Sequence, residues 1–145
     1  MIDELTHYKN NGHFFFYPTN KLHAVCNAPT DKSGVYVIYE LRKGKVNLVY
    51  IGSSGKLNKD GTMFIPKAGL GGLKNGIVNG HQFGNIPRRY AWPAIMLQDN
   101  IHALDIYWYA THDDKYTDDP RTIENKLLHK YLDIYGHLPK WNEEL

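Results

Sequence analysis

The chain has 145 residues, 42% of them hydrophobic, and a formal net charge of +2. That length suits one domain with a core of its own, and the charge is too small to argue for a nucleic-acid partner by itself. The single cysteine, Cys26, excludes an internal disulfide, and the opening Met1-Ile2-Asp3-Glu4-Leu5 is neither basic nor a long apolar run, so no secretory or membrane-spanning segment is expected and a reducing cytoplasm is the expected compartment.

We read residues 1–145 as one domain in which 1–32 form an N-terminal arm or edge extension. Residues 1–12 are polar and suit a short helix or arm. His13-Phe14-Phe15-Phe16-Tyr17 is a compact apolar run stopped by Pro18, an edge strand or a lid on the core. Leu22 to Cys26 is a second short apolar piece, followed by a loop at Asn27-Ala28-Pro29-Thr30-Asp31. His13 and His23 lack metal-ligand spacing and read as packing or solvated groups.

Two strands follow, Gly34 to Leu41 and Val46 to Gly52, rich in Val, Ile and Tyr and bounded by turn residues. Gly44 suits the left-handed position of a three-residue loop, Arg42 to Gly44. Leu41 then pairs with Lys45, and the register carried outward sets Tyr36 opposite Tyr50, with both phenols on one face. Val35, Val37 and Leu41 lie on one side of the first strand, and Tyr36 and Ile38 on the other. A strand apolar on both sides predicts a sheet covered on both sides.

Ser53 to Lys67 is polar, contains Gly55, Gly61 and Pro66, and reads as a long loop or small inserted hairpin. Loops of this length in a compact domain are usually functional. Gly69-Leu70-Gly71-Gly72 suits a turn, or a close approach of backbone amides to a phosphate. Leu73 to Asn79 reads as a helix. Asn79 to Tyr90 is rich in amide, basic and aromatic groups, including His81, Gln82, Arg88 and Arg89. Gln, Asn and Arg can make paired hydrogen bonds to base edges, so this stretch is either a DNA-contacting loop or a surface turn with two solvated arginines. Trp92 to Asn100 reads as a helix with Pro93 in its first turn. The third strand is Ala103 to Ala110, where Leu104, Ile106 and Trp108 alternate with Asp105, Tyr107 and Tyr109.

His112-Asp113-Asp114 and Asp118-Asp119 are read as turn and cap residues, with Asp119-Pro120 starting a helix that runs to Tyr135 and ends at Gly136. Helical spacing sets Glu124 beside Leu128, Tyr131 and Tyr135, next to the stripe of Ile123, Leu127 and Ile134. A carboxylate in an apolar face needs a cation, a hydrogen-bond network or a metal. The tail, Leu138-Pro139-Lys140-Trp141-Asn142, reads as extended.

Charge is unevenly spread. Between Ser53 and Gln98 stand Lys56, Lys59, Lys67, Lys74, Arg88 and Arg89 against Asp60 alone; from Asp99 to Asp119 six aspartates face only Lys115. A basic segment beside an acidic one suits a polyanion on one side, or a solvated surface of uneven charge.

Gly34-Val35-Tyr36 and Tyr50-Ile51-Gly52 resemble the two signature tripeptides of the GIY-YIG nuclease family, and the resemblance extends to Asn142. It implies an α+β sandwich in which a three-stranded antiparallel sheet is flanked by helices. It implies a metal-dependent DNA endonuclease, with one Mg2+ or Mn2+ per active site held by Glu124 on the helix after the third strand. Asn142 follows a Pro-Lys-aromatic sequence, as the family asparagine does. Tyr36 corresponds to the presumed general base or water-orienting group, supported by Tyr50. The stretch from Gly71 to Gly84 looks like the branch of small restriction endonucleases, which implies double-stranded DNA as partner and a homodimer on a palindromic site. Lys56, Lys67, Lys74, His81, Gln82, Arg88 and Arg89 would grip the DNA.

Gly76 stands where the family arginine is expected, and glycine within a helix costs roughly 1 kcal/mol relative to alanine. Either the alignment is displaced by a residue or two, or Lys74, Arg88 or Arg89 supplies the charge, or the arginine is lost. Ser53 and Ser54 stand where some relatives carry a lysine, a place Lys56 or Lys67 could reach. The alternative function is a DNA-binding module of the same fold that does not cleave; a protein-binding domain whose tyrosines are only core is a remoter one.

Overall fold

The computed structural model describes residues 2–55, 60 and 72–142. Its core element is one antiparallel sheet of four strands, in the order β1-β4-β2-β3. The strands are β1 (Asn11–Phe16), β2 (Gly34–Arg42), β3 (Lys45–Ser54) and β4 (Ala103–Ala110). β2, β3 and β4 are the three strands expected. The fourth is the aromatic run near the N-terminus, which pairs with β4 so that His13 faces Tyr107 and Phe16 faces Leu104. Its alternation explains this: Phe14 and Phe16 are buried while His13 and Phe15 are exposed, the period-2 pattern of an edge strand with one covered face.

Helices cover both faces. Tyr36, Ile38, Tyr50, Leu104, Ile106 and Trp108 share one core with α2 (Gly72–Asn79), α3 (Arg88–Gln98) and the one-turn α1 (Leu22–Val25). Val35, Val37, Ile51 and Tyr109 share the other with Leu127 of α4 (Pro120–Tyr135), and with Leu5 and Tyr8. The Asp119 side chain caps α4 at Arg121 N–H, and Gly136 closes it in the left-handed conformation.

Five boundaries, registers or segments differ from the sequence expectations. The β2–β3 turn contains two residues, Lys43 and Gly44, both at positive φ (53° and 73°), so Arg42 rather than Leu41 pairs with Lys45. That is the twist-matched geometry for a short hairpin. A bulge between Ile38 and Tyr39 then shifts the register, and Tyr50 faces Ile38 while Tyr36 faces Gly52. Ser53 and Ser54 belong to β3 rather than to the following loop. Helix α3 starts a turn early, at Arg88, because the Pro87 carbonyl accepts from the N–H groups of Tyr90 and Ala91, leaving Pro93 inside the helix. The tail ends in a turn, with Asn142 N–H donating to the Pro139 carbonyl at 2.9 Å. Among the described residues no helix is long and apolar enough to cross a membrane.

Candidate functional site

The site is built where β2 and β3 lie side by side. Tyr36 and Tyr50 are diagonal neighbours on one face, with ring centroids 6.1 Å apart. They meet because the two-residue turn and the bulge each shift the register by one step, so that together they leave Tyr36, Ile38, Tyr50 and Gly52 on one face. Both rings lie over Gly52. A Cβ on that residue would stand 2.6 Å from the Tyr50 ring and 2.7 Å from the Tyr36 ring. The last residue of the second tripeptide is therefore glycine for want of space.

Behind the rings sits Arg88, only 2% exposed. Its Cζ lies 5.2 Å from the Tyr36 ring centroid and 5.5 Å from those of Tyr50 and Trp92. Arg88 Nη1 donates to the Gly76 carbonyl at 2.7 Å, and Nε donates to Gln82 Oε1 at 3.0 Å. Trp92 Nε1 donates to the same Gln82 oxygen at 3.1 Å, which fixes the amide. Gln82 and Arg88, grouped by sequence with DNA-gripping residues, are thus interior and bonded to protein groups. His81 and Arg89 remain exposed, with the Arg89 guanidinium 4.9 Å from the Tyr90 ring centroid. Lys74 is half-buried; its charge bears on Cys26, over by α1. Lys56 and Lys67 lie outside the described residues.

Glu124 reaches the same region from α4. It is half-buried and makes no ion pair among the described residues. Burial pushes its carboxyl above the ordinary range; a hydrogen bond from Ser53 and the charge of Arg121 act in the other direction. Burial also raises the Tyr50 phenol, reinforced by Tyr36 and by the Glu124 charge, while Arg88 opposes the shift. Tyr50 is therefore a neutral phenol at pH 7.

Asn142 braces the site from outside. β3 is an edge strand, so one side of its backbone lacks a strand partner. Ile51 N–H donates to Asn142 Oδ1 at 3.0 Å, and Asn142 Nδ2 donates to the Ile51 carbonyl at 3.0 Å. One side chain completes the rung between Tyr50 and Gly52. Trp141 N–H adds a bond to the Val49 carbonyl, and its buried ring packs between Phe83 and Trp92. On the other flank, Ser33 N–H donates to His112 Nε2 at 3.0 Å, fixing the chain just before Gly34. The neighbouring aspartates have turn and cap roles: Asp113 accepts from the N–H groups of Lys115 and Tyr116, and Asp118 accepts from the Tyr8 hydroxyl. No group of three or more metal-ligating side chains occurs among the described residues.

The sequence signalled Tyr36, Tyr50, Glu124 and Asn142, and the fold brings the first three to one region with the fourth bonded to its backbone. The bracing roles of Ser53, His112 and Trp141 carried no sequence signal, since each depends on a partner remote in the chain. No family model, curated protein or solved structure matches the chain.

Proposed function

We propose that the chain is a GIY-YIG-type DNA endonuclease, in the manner of a small type II restriction enzyme, that hydrolyses phosphodiester bonds with one divalent ion on Glu124. The observation that carries this reading is the half-buried Glu124 carboxylate, without an ion pair among the described residues, close enough to Tyr50 for its charge to be felt. A partly desolvated carboxylate without an ion pair among the described residues suits a hard cation, and Mg2+ is commonly bound by one or two carboxylates with water and substrate phosphate completing its shell. When bound, such an ion polarises the phosphate and stabilises the leaving oxygen.

The remaining roles belong to the chain. Tyr50, kept protonated by burial, donates a hydrogen bond to the attacking water or the phosphate. Tyr36, its neighbour across Gly52, orients the attacking water through its hydroxyl. Asn142 holds the Ile51 backbone so that the two phenols keep their spacing. His81 and Arg89, exposed near the start of α3, provide contacts to double-stranded DNA. A homodimer would match the twofold symmetry of a palindromic site.

The test is Glu124→Gln against the parent chain on long mixed-sequence DNA with Mg2+ or Mn2+, read as discrete fragments on a gel. Equal cleavage by both proteins would remove the reading. Gly76, a residue without a side chain where the family arginine is expected, favours a second reading: a DNA-binding module of the same fold that does not cleave. It predicts affinity that falls steeply with salt and no metal-dependent product.

A further inference from the structure

Arginine is rarely buried without a paired carboxylate, because an unpaired charge loses its hydration. Arg88 is such a case. It is 2% exposed, and no carboxylate among the described residues pairs with it. Among the described residues its guanidinium meets neutral groups: the Gly76 carbonyl at 2.7 Å, the Ile77 carbonyl at 3.5 Å, Gln82 Oε1 at 3.0 Å, the Tyr50 hydroxyl, and the faces of three aromatic rings. Those contacts orient a cation without neutralising it.

The surroundings are shaped to admit it. Arg88 comes from α3 and crosses to the backbone of α2. A Cβ on Gly80 would stand 2.5 Å from both Arg88 Nη1 and the Gly76 carbonyl oxygen, so a side chain there would displace the guanidinium together with the carbonyl it bonds. A Cβ on Gly76 would meet Ser54 Oγ at 2.5 Å and Ser54 Cβ at 2.6 Å. Helix α2 is thus pressed against β3 at Gly76, with its carbonyl turned to Arg88. The rings of Tyr36 and Tyr50 lie against that positive charge.

We infer that Arg88 is the positioning residue of this site: a buried, uncompensated guanidinium that clamps Tyr36 and Tyr50 and lends their hydroxyls the positive field in which a phosphate group is held. A cation in low dielectric acts far more strongly on a nearby anion than one in water. Lacking solvent exposure, Arg88 acts through the phenols rather than by touching substrate. The assignment of that phosphate to a DNA backbone rests on the nuclease reading; the clamp and its field do not.

The experiment uses the full chain with Arg88→Met, Arg88→Lys and Gly80→Ala, the last displacing the guanidinium while leaving its charge in the chain. Single-turnover cleavage and DNA affinity are measured together. Arg88→Met should cut about 100-fold more slowly, the usual cost of a lost electrostatic stabiliser, with affinity within about threefold of the parent. Arg88→Lys should recover about tenfold of that loss, since it restores charge without the fork. Gly80→Ala should fall between them. Unchanged cleavage in Arg88→Met, or equal losses in the Met and Lys variants that track thermal stability, would overturn the proposal. Should the parent not cleave at all, the nuclease reading fails and the clamp is judged separately. Tyrosine 13Cζ resonances, assigned with Tyr36→Phe and Tyr50→Phe, are then followed as inorganic phosphate is added. The parent and Arg88→Lys should respond and Arg88→Met should not; a response in Arg88→Met, or none in the parent, overturns the clamp.

Discussion

The two ends of the β2–β3 ribbon treat buried charge in opposite ways. Near the turn, Glu40 is 2% exposed and pairs with Arg42, whose Nε lies 3.2 Å from Glu40 Oε2. At the other end, Arg88 and Glu124 both act on Tyr50, from opposite sides of the sheet, yet form no ion pair with each other. The first arrangement cancels charge and serves the fold. The second keeps a cation and an anion apart in a partly desolvated place, which costs stability and leaves both able to act on something else.

Glu124→Gln breaks the second arrangement and carries the largest expected effect. Metal-dependent cleavage should fall by about two to three orders of magnitude. Burial raises the Glu124 carboxyl, so its ionised form disfavours folding as pH climbs through that value. The same variant should therefore melt slightly higher than the parent at pH 7, by thermal denaturation followed with circular dichroism. Lower stability would mean that Glu124 holds the fold rather than a ligand.

Arg42→Met breaks the first arrangement. It strips the partner from a buried carboxylate and, because Arg42 itself is partly exposed and screened, should cost about 1–2 kcal/mol, measured by urea unfolding. A negligible cost would make the pair as dispensable as a surface bridge and weaken the contrast.

Gly76→Arg sharpens the comparison by adding a second cation beside Arg88. Its Cβ meets Ser54, so a loss of about 1–3 kcal/mol is expected, as for other overpacked positions, together with no gain in cleavage. A faster enzyme would move the essential charge from Arg88 to position 76.

The smallest effect concerns His112. Burial, with help from Lys32, lowers its pKa, opposed by Asp113 and Asp31. Its Nε2 must be unprotonated to accept from Ser33 N–H. The contribution is therefore complete above the ordinary histidine value near 6.5 and is lost as pH falls through the lower folded-state value. Urea midpoints of the parent and His112→Asn should converge as pH falls below about 6.5 and the parent loses this term. A constant difference across that window would exclude the bond as its source.

What the amino-acid sequence determined by itself is what short stretches decide. β2, β3, β4 and α4 were legible because alternation, helical spacing, an Asp-Pro start and a glycine stop are local features that act over a few residues. Glu124 on an apolar stripe followed from the same periodicities, whereas Tyr36 and Tyr50 share a face because two one-step departures from the expected register cancel in parity. The register did not follow from them, because a two-residue turn and a bulge each shift pairing by one step, and only packing against β4 and the helices selects among steps of similar local energy. Nor did the fate of the arginines: Arg88 and Arg89 are adjacent and alike in sequence, yet one helix places the first under the tyrosines and the second in water. The bond between Asn142 and Ile51 spans 91 residues of chain. Such partners are chosen when the sheet and its helices close, because burial then makes an unpaired polar group costly and leaves each one few places to go.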